Sequence, residues 1–471
     1  MIEKFPLPDK SDPILFMPNL GTHGREINCL KALFNFGGMV EIVATGSENG
    51  VLEITLNQPG IHSQPLVKVY RNAKIPFTIK CLAWLQNPAQ SGVTQRLGNS
   101  CQRETQFLVI SGSREMFQIF EVTLDRPHDA SSIHEMDVGV VQWSSFSQRS
   151  AEESEVRIMD LDRLYLGDST WLLSASQSDG NIRIWTLDPT KKQQRLLCQY
   201  KTSCCIFCNR ILQIDVLGKR EILTLAGMAD GTVCVFTLPE IDITAVNYGQ
   251  VLELRSMEIL LKLPHHQSGV GCVKSYSDKN RVIMATGGDD NSLVVECLEF
   301  SRNTSTGLLE AETRMVKQPN AHASCISGAL LNFWAITAAC SMAVKTNVSL
   351  PSEYKRCLFG VNSMDQKLGV GKEDRMLLLS VSSDQKLKIW WIDSMFEFDK
   401  TPRINLNKIF HTDVADCTSI EVAHIRGRSD DELISQQQTS TSERSNQASH
   451  NLCIFLAGIG IERRSLSPFS S

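Results

Sequence analysis

Long apolar runs are missing from this chain of 471 residues. Met1-Ile2-Glu3-Lys4 leads straight into Pro6 and Pro8, without the apolar core of a secretory signal. The uncharged run from Ile326 to Val344 is broken by Ser327, Gly328, Asn332, Thr337 and Ser341. It is a poor membrane span and reads better as a buried strand with a loop. An excess of one charge is missing too. The 47 basic and 52 acidic residues leave a net charge of −5, against the basic excess of a protein that grips nucleic acid unaided. A paired cysteine framework is also lacking. Fifteen cysteines, an odd number, are scattered along the chain and read as free thiols of a reducing compartment, so a cytoplasmic location is expected. With 42% hydrophobic and 21% charged residues, the composition excludes a wholly disordered chain.

The signatures of common chemistries are absent as well. No GxSxG elbow supplies a nucleophile. Cys205-Ile206-Phe207-Cys208, with Cys204 beside it, is a lone CxxC, whereas a structural zinc site takes a second ligand pair. His265 and His266 are adjacent rather than four apart. Gly369-Val370-Gly371-Lys372 lacks the spacing of a phosphate loop, and no glycine-rich βα turn suits a methyl-donor cofactor. Asp289 and Asp290 fall in a turn, where aspartate is favoured by local hydrogen bonding. His23, His265, His266, His322 and His411 stand just before predicted strands, which favours a structural role over catalysis. The reading is a protein with no catalytic, cofactor-binding or metal-binding residue and no cofactor. Two basic clusters, Arg71, Lys74 and Lys80, then Arg210, Lys219 and Arg220, offer at most an auxiliary surface for RNA phosphates.

What the sequence does contain is repetition. Seven segments read as strand, small-residue step, polar turn and strand: 42–56, 107–124, 171–187, 221–238, 281–298, 375–392 and 452–466, the last with a shortened turn. Asn49-Gly50, Asp179-Gly180 and Asp230-Gly231 are turn dipeptides that tolerate positive φ. Gly46, Gly112, Gly227 and Gly287 occupy the small-residue step, where backbones approach closely. A short alternating strand precedes each hairpin. Cys29, Cys81, Cys272, Cys325 and Cys417 recur there, as small buried hydrophobes near a narrow axis.

Step positions at 46, 112, 176, 227, 287, 381 and 458 are spaced beyond the ~40–45 residues of a four-stranded blade, so the excess is insertions. The expected fold is all-β: one seven-bladed WD40-type β-propeller over residues 1–471, with long inter-strand insertions. These are expected at 125–155 and 332–374, with a disordered low-complexity insertion at 426–450. The last unit is expected to stop after a third strand, and Pro13 to Met17 to supply the missing outer one.

The units resemble WD40 repeats, with Trp185-Thr186 and Trp390-Trp391 nearest to the Trp-Asp ending. Longer stretches resemble the family of WD-repeat-containing protein six. They are HGREINCL with ATGSENG, HHQSGVGCV with ATGGDDNSL, HASCISGALL with LLSVSSDQKLKIWW, and DVADC with LAGIGIE, in that order. The resemblance covers only the C-terminal propeller of a longer, several-propeller family. It implies a non-catalytic, cytoplasmic regulatory subunit. Such a subunit binds a separate S-adenosylmethionine-dependent tRNA 2′-O-ribose methyltransferase and supports modification of the anticodon wobble position. Transfer RNA would be held indirectly or through an auxiliary surface, with no membrane involved. The alternative is a WD40 adaptor for another assembly such as a ubiquitin ligase, but the W-D-x-R signature of many such adaptors is missing after Trp185 and Trp390. Partner-binding residues are not assigned by the sequence.

Overall fold

The computed structural model describes residues 14–17, 26–35, 40–57, 67–85, 95–97, 101–127, 136–147, 155–167, 169–239, 255–332, 375–395, 401–412, 415–425 and 451–466. All regular structure in them is β, and no helix among them is long and apolar enough to cross a membrane. After β1 (Ile14–Met17), the first blade is β2 (Ile27–Asn35), β3 (Val40–Ser47), β4 (Leu52–Asn57) and β5 (Val67–Asn72). The second is β6 (Ile79–Leu85), β8 (Cys101–Gly112), β9 (Met116–Pro127) and β10 (Asp137–Ser147), with the short β7 (Gln95–Leu97) beside β8. The third is β11 (Ile158–Gly167), β12 (Thr170–Gln177), β13 (Asn181–Asp188) and β14 (Gln193–Lys201). The fourth is β15 (Ile206–Val216), β16 (Lys219–Met228), β17 (Thr232–Thr237) and β19 (Glu258–Pro264); β18 (Arg255–Ser256) instead pairs parallel with β14. The fifth is β20 (Val270–Asp278), β21 (Arg281–Gly288), β22 (Leu293–Arg302) and β23 (Leu309–Gln318). The sixth is β24 (Ile326–Asn332), β25 (Arg375–Ser382), β26 (Lys386–Asp393) and β27 (Arg403–His411).

The expectation of seven blades is corrected to six. β28 (Ala415–Ile425) and β29 (Asn451–Leu466) join β1 in a sheet of only three strands. The reason lies in the last unit. Leu456-Ala-Gly-Ile-Gly-Ile-Glu462 holds no Asn-Gly or Asp-Gly pair to reverse the chain. Residues 451–466 therefore run on as one strand, pairing β28 with their first part and β1 with their last. The expected role of the amino-terminal segment is met: Ile14 faces Arg464 and Met17 faces Ile461 in antiparallel register. β28 also packs on β24 and on β2, which closes the ring.

The core of the described residues is divided. Five apolar clusters each fill the layer between neighbouring blades, from the first pair (Ile42, Ile54, Trp84, Phe120) to the fifth and sixth (Ile283, Val295, Ile326, Trp390). Each blade buries both faces, so that even Asn181–Asp188, which mixes polar with apolar residues, is buried along its whole length.

The first strands carry a common detail. In four of them a bulge precedes a cysteine set opposite the small-residue step: Cys29 faces Gly46, Cys81 faces Ser111, Cys208 faces Gly227 and Cys272 faces Gly287. The glycine is required because the next blade's first strand presses on it. A Cβ on Gly287 would stand 2.5 Å from Ile326 Cγ2 and 3.0 Å from Cys272 Sγ, and one on Gly227 2.6 Å from Cys208 Sγ. Three readings need correction. Cys325 is exposed and lies before β24, where Gly328 takes the equivalent register. Cys208 belongs to the set instead. Gly112 faces Ile79, one step beyond Ser111, which holds the small-residue place.

Burial drives the Cys29 thiol up to about 12 and Cys272 to about 11. Cys81 and Cys208 rise as well, for the same reason. A thiolate is the reacting form. Among the described cysteines, limited alkylation of the native protein should therefore modify Cys325 ahead of Cys29, Cys81, Cys208 and Cys272, which are spared until unfolding. Mass-spectrometric mapping of the labelled sites checks this, and early labelling of the buried four would contradict the packing.

The 125–155 stretch, read as an insertion loop, supplies β10, the outer strand of the second blade. Its polar composition hid a strand whose faces change at a bulge between Gln142 and Ser144. Val138 and Val140 pack toward the first blade, and Trp143 and Phe146 toward the third. Apart from Asn332, which ends β24, the 332–374 insertion lies outside the described residues, as do 426–450 and His23.

Candidate functional site

Strands alternate in direction, so the turns between second and third strands share one rim with the links that enter each next blade. That rim gathers the polar side chains singled out above. Asn49-Gly50, Asp179-Gly180 and Asp230-Gly231 form the predicted turns, with glycine φ of 74°, 83° and 88°. In the fifth and sixth blades Asn291 and Gln385 take the positive-φ place, at 59° and 58°.

In the sixth blade the site is a four-residue relay. His322 Nδ1 faces Asp384 Oδ1 at 3.1 Å, and its Nε2 faces Ser380 Oγ at 2.8 Å. Trp390 Nε1–H donates to the same Ser380 Oγ at 2.8 Å. Asp384 also accepts the Ala323 and Lys386 backbone N–H groups at 3.0 and 3.1 Å. The relay thus ties the incoming link, the turn and two strands together. Removing one buried partner of such a network leaves the others unsatisfied.

The fifth blade repeats the spacing with one change. Thr286, Asp290 and Glu296 stand where the sixth has Ser380, Asp384 and Trp390, as Met284 opposite Glu296 matches Leu378 opposite Trp390. A carboxylate replaces the indole, and His265 comes in to meet it. His266 Nδ1 faces Asp290 Oδ1 at 2.8 Å and Ser292 Oγ at 2.9 Å, and its Nε2 faces Thr286 Oγ1 at 2.9 Å. His265 Nδ1 lies 3.1 Å from that same hydroxyl, and its Nε2 lies 2.5 Å from Glu296 Oε2. Counting protons fixes the tautomers. His266 Nδ1–H donates to Asp290, so its Nε2 accepts from Thr286. The hydroxyl has then used its only proton, so His265 Nδ1–H donates to Thr286 Oγ1.

Burial holds the His322 and His266 imidazoles below 6.5, against the pull of Asp384 and Asp290. Burial alone would raise Asp384, but the Ala323 N–H and His322 outweigh it and bring the carboxyl below 3.8. Asp290 is lowered likewise: burial opposes, while Ser292, His266 and the Gln267 N–H prevail. Asp289 moves the other way, raised by burial and by Asp290. For the depressed histidines the unfolded chain binds protons first, so stability falls as pH drops below 6.5 toward the folded values. The contribution of Asp290 and Asp384 is present above 3.8 and is lost as pH falls through their lower folded values. Both act in the same sense. The thermal midpoint should drop between about pH 7.5 and about pH 5.5, and less steeply in His322→Asn. A midpoint that is flat or rises on acidification would contradict these protonation states.

The other singled-out residues do not join a reactive centre. Cys208 Sγ lies 3.3 Å from the Val270 carbonyl oxygen, inside the layer between blades, while Cys205 is half-exposed at the rim. His411 ends β27 and is exposed. Gly369 to Lys372 lies outside the described residues. The basic clusters do not form a face. Arg71 and Lys68 both meet Glu53, at 3.3 and 3.2 Å. Arg210 Nη1 sits 3.3 Å from Asp160 in the innermost strands, while Lys219 and Arg220 begin β16 at the opposite rim. Two charged features escaped sequence reading. Asp160 takes the cysteine's place in the third blade, opposite Ser176, and accepts the Asn209 N–H at 2.9 Å. Glu115, in the second blade's turn, pairs with Arg183 of the third, and Gln177 Nε2 donates to it at 3.2 Å. Only the strand-turn-strand spacing, extended to Thr286-Asp290-Glu296, could have shown any of this.

The WD domain, G-beta repeat family matches residues 145–186 and 257–295. The first match begins near the end of β10 and reaches into β13; the second takes in β19 and runs through β20 and β21 into the start of β22. No curated protein matches the chain. With these matches and the ring of sheets together, the chain carries WD40 repeats built into a β-propeller.

Proposed function

We propose that this chain is a non-catalytic scaffold that docks an S-adenosylmethionine-dependent tRNA 2′-O-ribose methyltransferase and supports methylation at the anticodon wobble position. A WD40 propeller suits a scaffold or adaptor, because rigid sheets present loops on two rims. One observation carries the finer reading. The stretches that resemble the regulatory-subunit family lie in order along the chain, and their described turns, at 47–50, 265–269, 289–292, 322–325 and 383–385, meet on one rim. A non-catalytic role is supported by the state of the histidines there: His265, His266 and His322 are buried and engaged by Thr286, Ser380 and carboxylates. On this reading the enzyme supplies the cofactor and the catalytic groups, tRNA contact is chiefly indirect, and the complex works in the cytoplasm.

The test is affinity purification of the tagged chain from cells of its own source, with mass spectrometry of what is retained. The proposal expects a ribose methyltransferase, lost when the enzyme's gene is deleted. Reproducible retention of a ubiquitin ligase scaffold, with no methyltransferase, would overturn it in favour of the adaptor reading.

A further inference from the structure

The outermost strand of the sixth blade, β27, ends its sheet and pairs only with β26 among the described residues. It is also the most open of the outer strands: Arg403, Asn405, Leu406, Asn407, Lys408, Ile409 and His411 are exposed. Leu406 and Ile409 keep 47% and 44% of their surface in water. Beneath them Ile404 and, from the facing β23, Val316 pack on the core between the fifth and sixth blades. The result is an apolar groove along a strand edge that carries no further strand among the described residues.

The charge of that edge is one-sided. Residues 403–411 include Arg403 and Lys408 and no carboxylate. The neighbouring β26 adds Lys386 and Lys388; its Asp393 accepts the Asn405 side-chain N–H at 2.7 Å. On the facing β23 the charges are mixed, Arg314 and Lys317 standing with Glu310 and Glu312. An exposed strand edge is a template for another strand, and cations on it repel a second copy of itself. The same cations attract an acidic strand. The fold already uses this mode, since β18 adds in parallel to the outer edge of β14 and β1 adds to β29.

We infer that β27 is a docking edge for an extended segment of another protein, one that alternates acidic with aliphatic residues and adds as a fifth strand. Backbone hydrogen bonds to β27 give the affinity, and the aliphatic side chains seat on Leu406, Ile409 and Val316. Lys408 and Arg403 select for carboxylates on the solvent side. The inference does not depend on which partner the opposite rim serves.

The probe is a fluorescein-labelled octapeptide alternating glutamate with leucine or isoleucine, titrated with the full chain and followed by anisotropy. Saturable binding is expected, weakened at least roughly tenfold in Lys408→Glu and in Leu406→Asp. It should be lost when the peptide's alternate amides are N-methylated on the pairing side, which removes ladder donors without changing charge. Val141→Asp on β10, an exposed position on another outer strand, should leave binding intact. Circular dichroism confirms that each variant is folded. Absence of saturable binding, equal binding by the β27 variants, or undiminished binding of the N-methylated peptide would each overturn the inference.

Discussion

Replacing Glu115 by alanine should destabilise the ring by roughly 3–5 kcal/mol, the scale of stranding a buried charge. Glu115 and Arg183 are 1% and 5% exposed, and they join blades 68 residues apart in sequence. Burial already lowers the guanidinium's affinity for its proton, a sign of how little water reaches it. Without Glu115 the cation keeps, among the described residues, only Gln199, at 3.4 Å. The double variant Glu115→Leu with Arg183→Met removes both charges and should recover most of the loss, because isosteric apolar pairs replace buried ion pairs at little cost. Urea denaturation of the two variants measures this. Equal losses in both would show that the pair's charges are not what holds the second and third blades together.

Gly112→Ala should have an effect of similar size, near the ~3 kcal/mol upper end for overpacking. A Cβ there would overlap the Thr78 carbonyl oxygen and stand 2.8 Å from the Lys80 backbone nitrogen. Both obstacles are main chain, in the strand opposite and the link that enters it, so no side chain can swing aside. The matched control is Gly218→Ala. Nothing lies within 4 Å of that Cβ, and the penalty is conformational only, from a φ of 81°, about 1 kcal/mol. The ratio of the two losses is the informative quantity, read from denaturation midpoints on the same preparation. Similar losses for the two variants would mean that the second blade's first strand sits farther from Gly112 than the structure has it.

The parts of this fold that sequence reading found are those written in local chemistry. Turn dipeptides such as Asp230-Gly231 announce a reversal, and apolar runs such as Trp171-Leu172-Leu173 announce a buried strand, whereas the alternation of Asn181 to Trp185 reads as half-buried although the whole strand is buried. The closure by residues 14–17 was also legible, because a unit short of one strand calls for another segment to complete it. What stayed hidden depends on register or on distant partners. The bulge that reverses β10 disguised its period, so Val138 and Trp143 did not read as members of one strand. The bulges before Cys29 and Cys272 set which residue faces the neighbouring blade, and Cys325 falls outside that register. Glu115 and Arg183, or His265 and Glu296, sit too far apart in sequence for any local pattern to pair them. The last unit failed for a chemical reason: without a turn pair, Leu456 to Glu462 extends rather than reverses.

The scaffold role presupposes a closed ring, and closure rests on the packing of β28 against β24 and β2 and on the pairing of β1 with β29 that completes its sheet. Native-state hydrogen exchange tests it directly. The account predicts that amides of Ile14–Met17 exchange as slowly as those of β29, and that deleting residues 1–17 speeds exchange in β28 and in β2 on either side of the seam. Exchange of residues 14–17 at the rate of an unstructured peptide, with no effect of the deletion on β2 or β28, would contradict the closed ring.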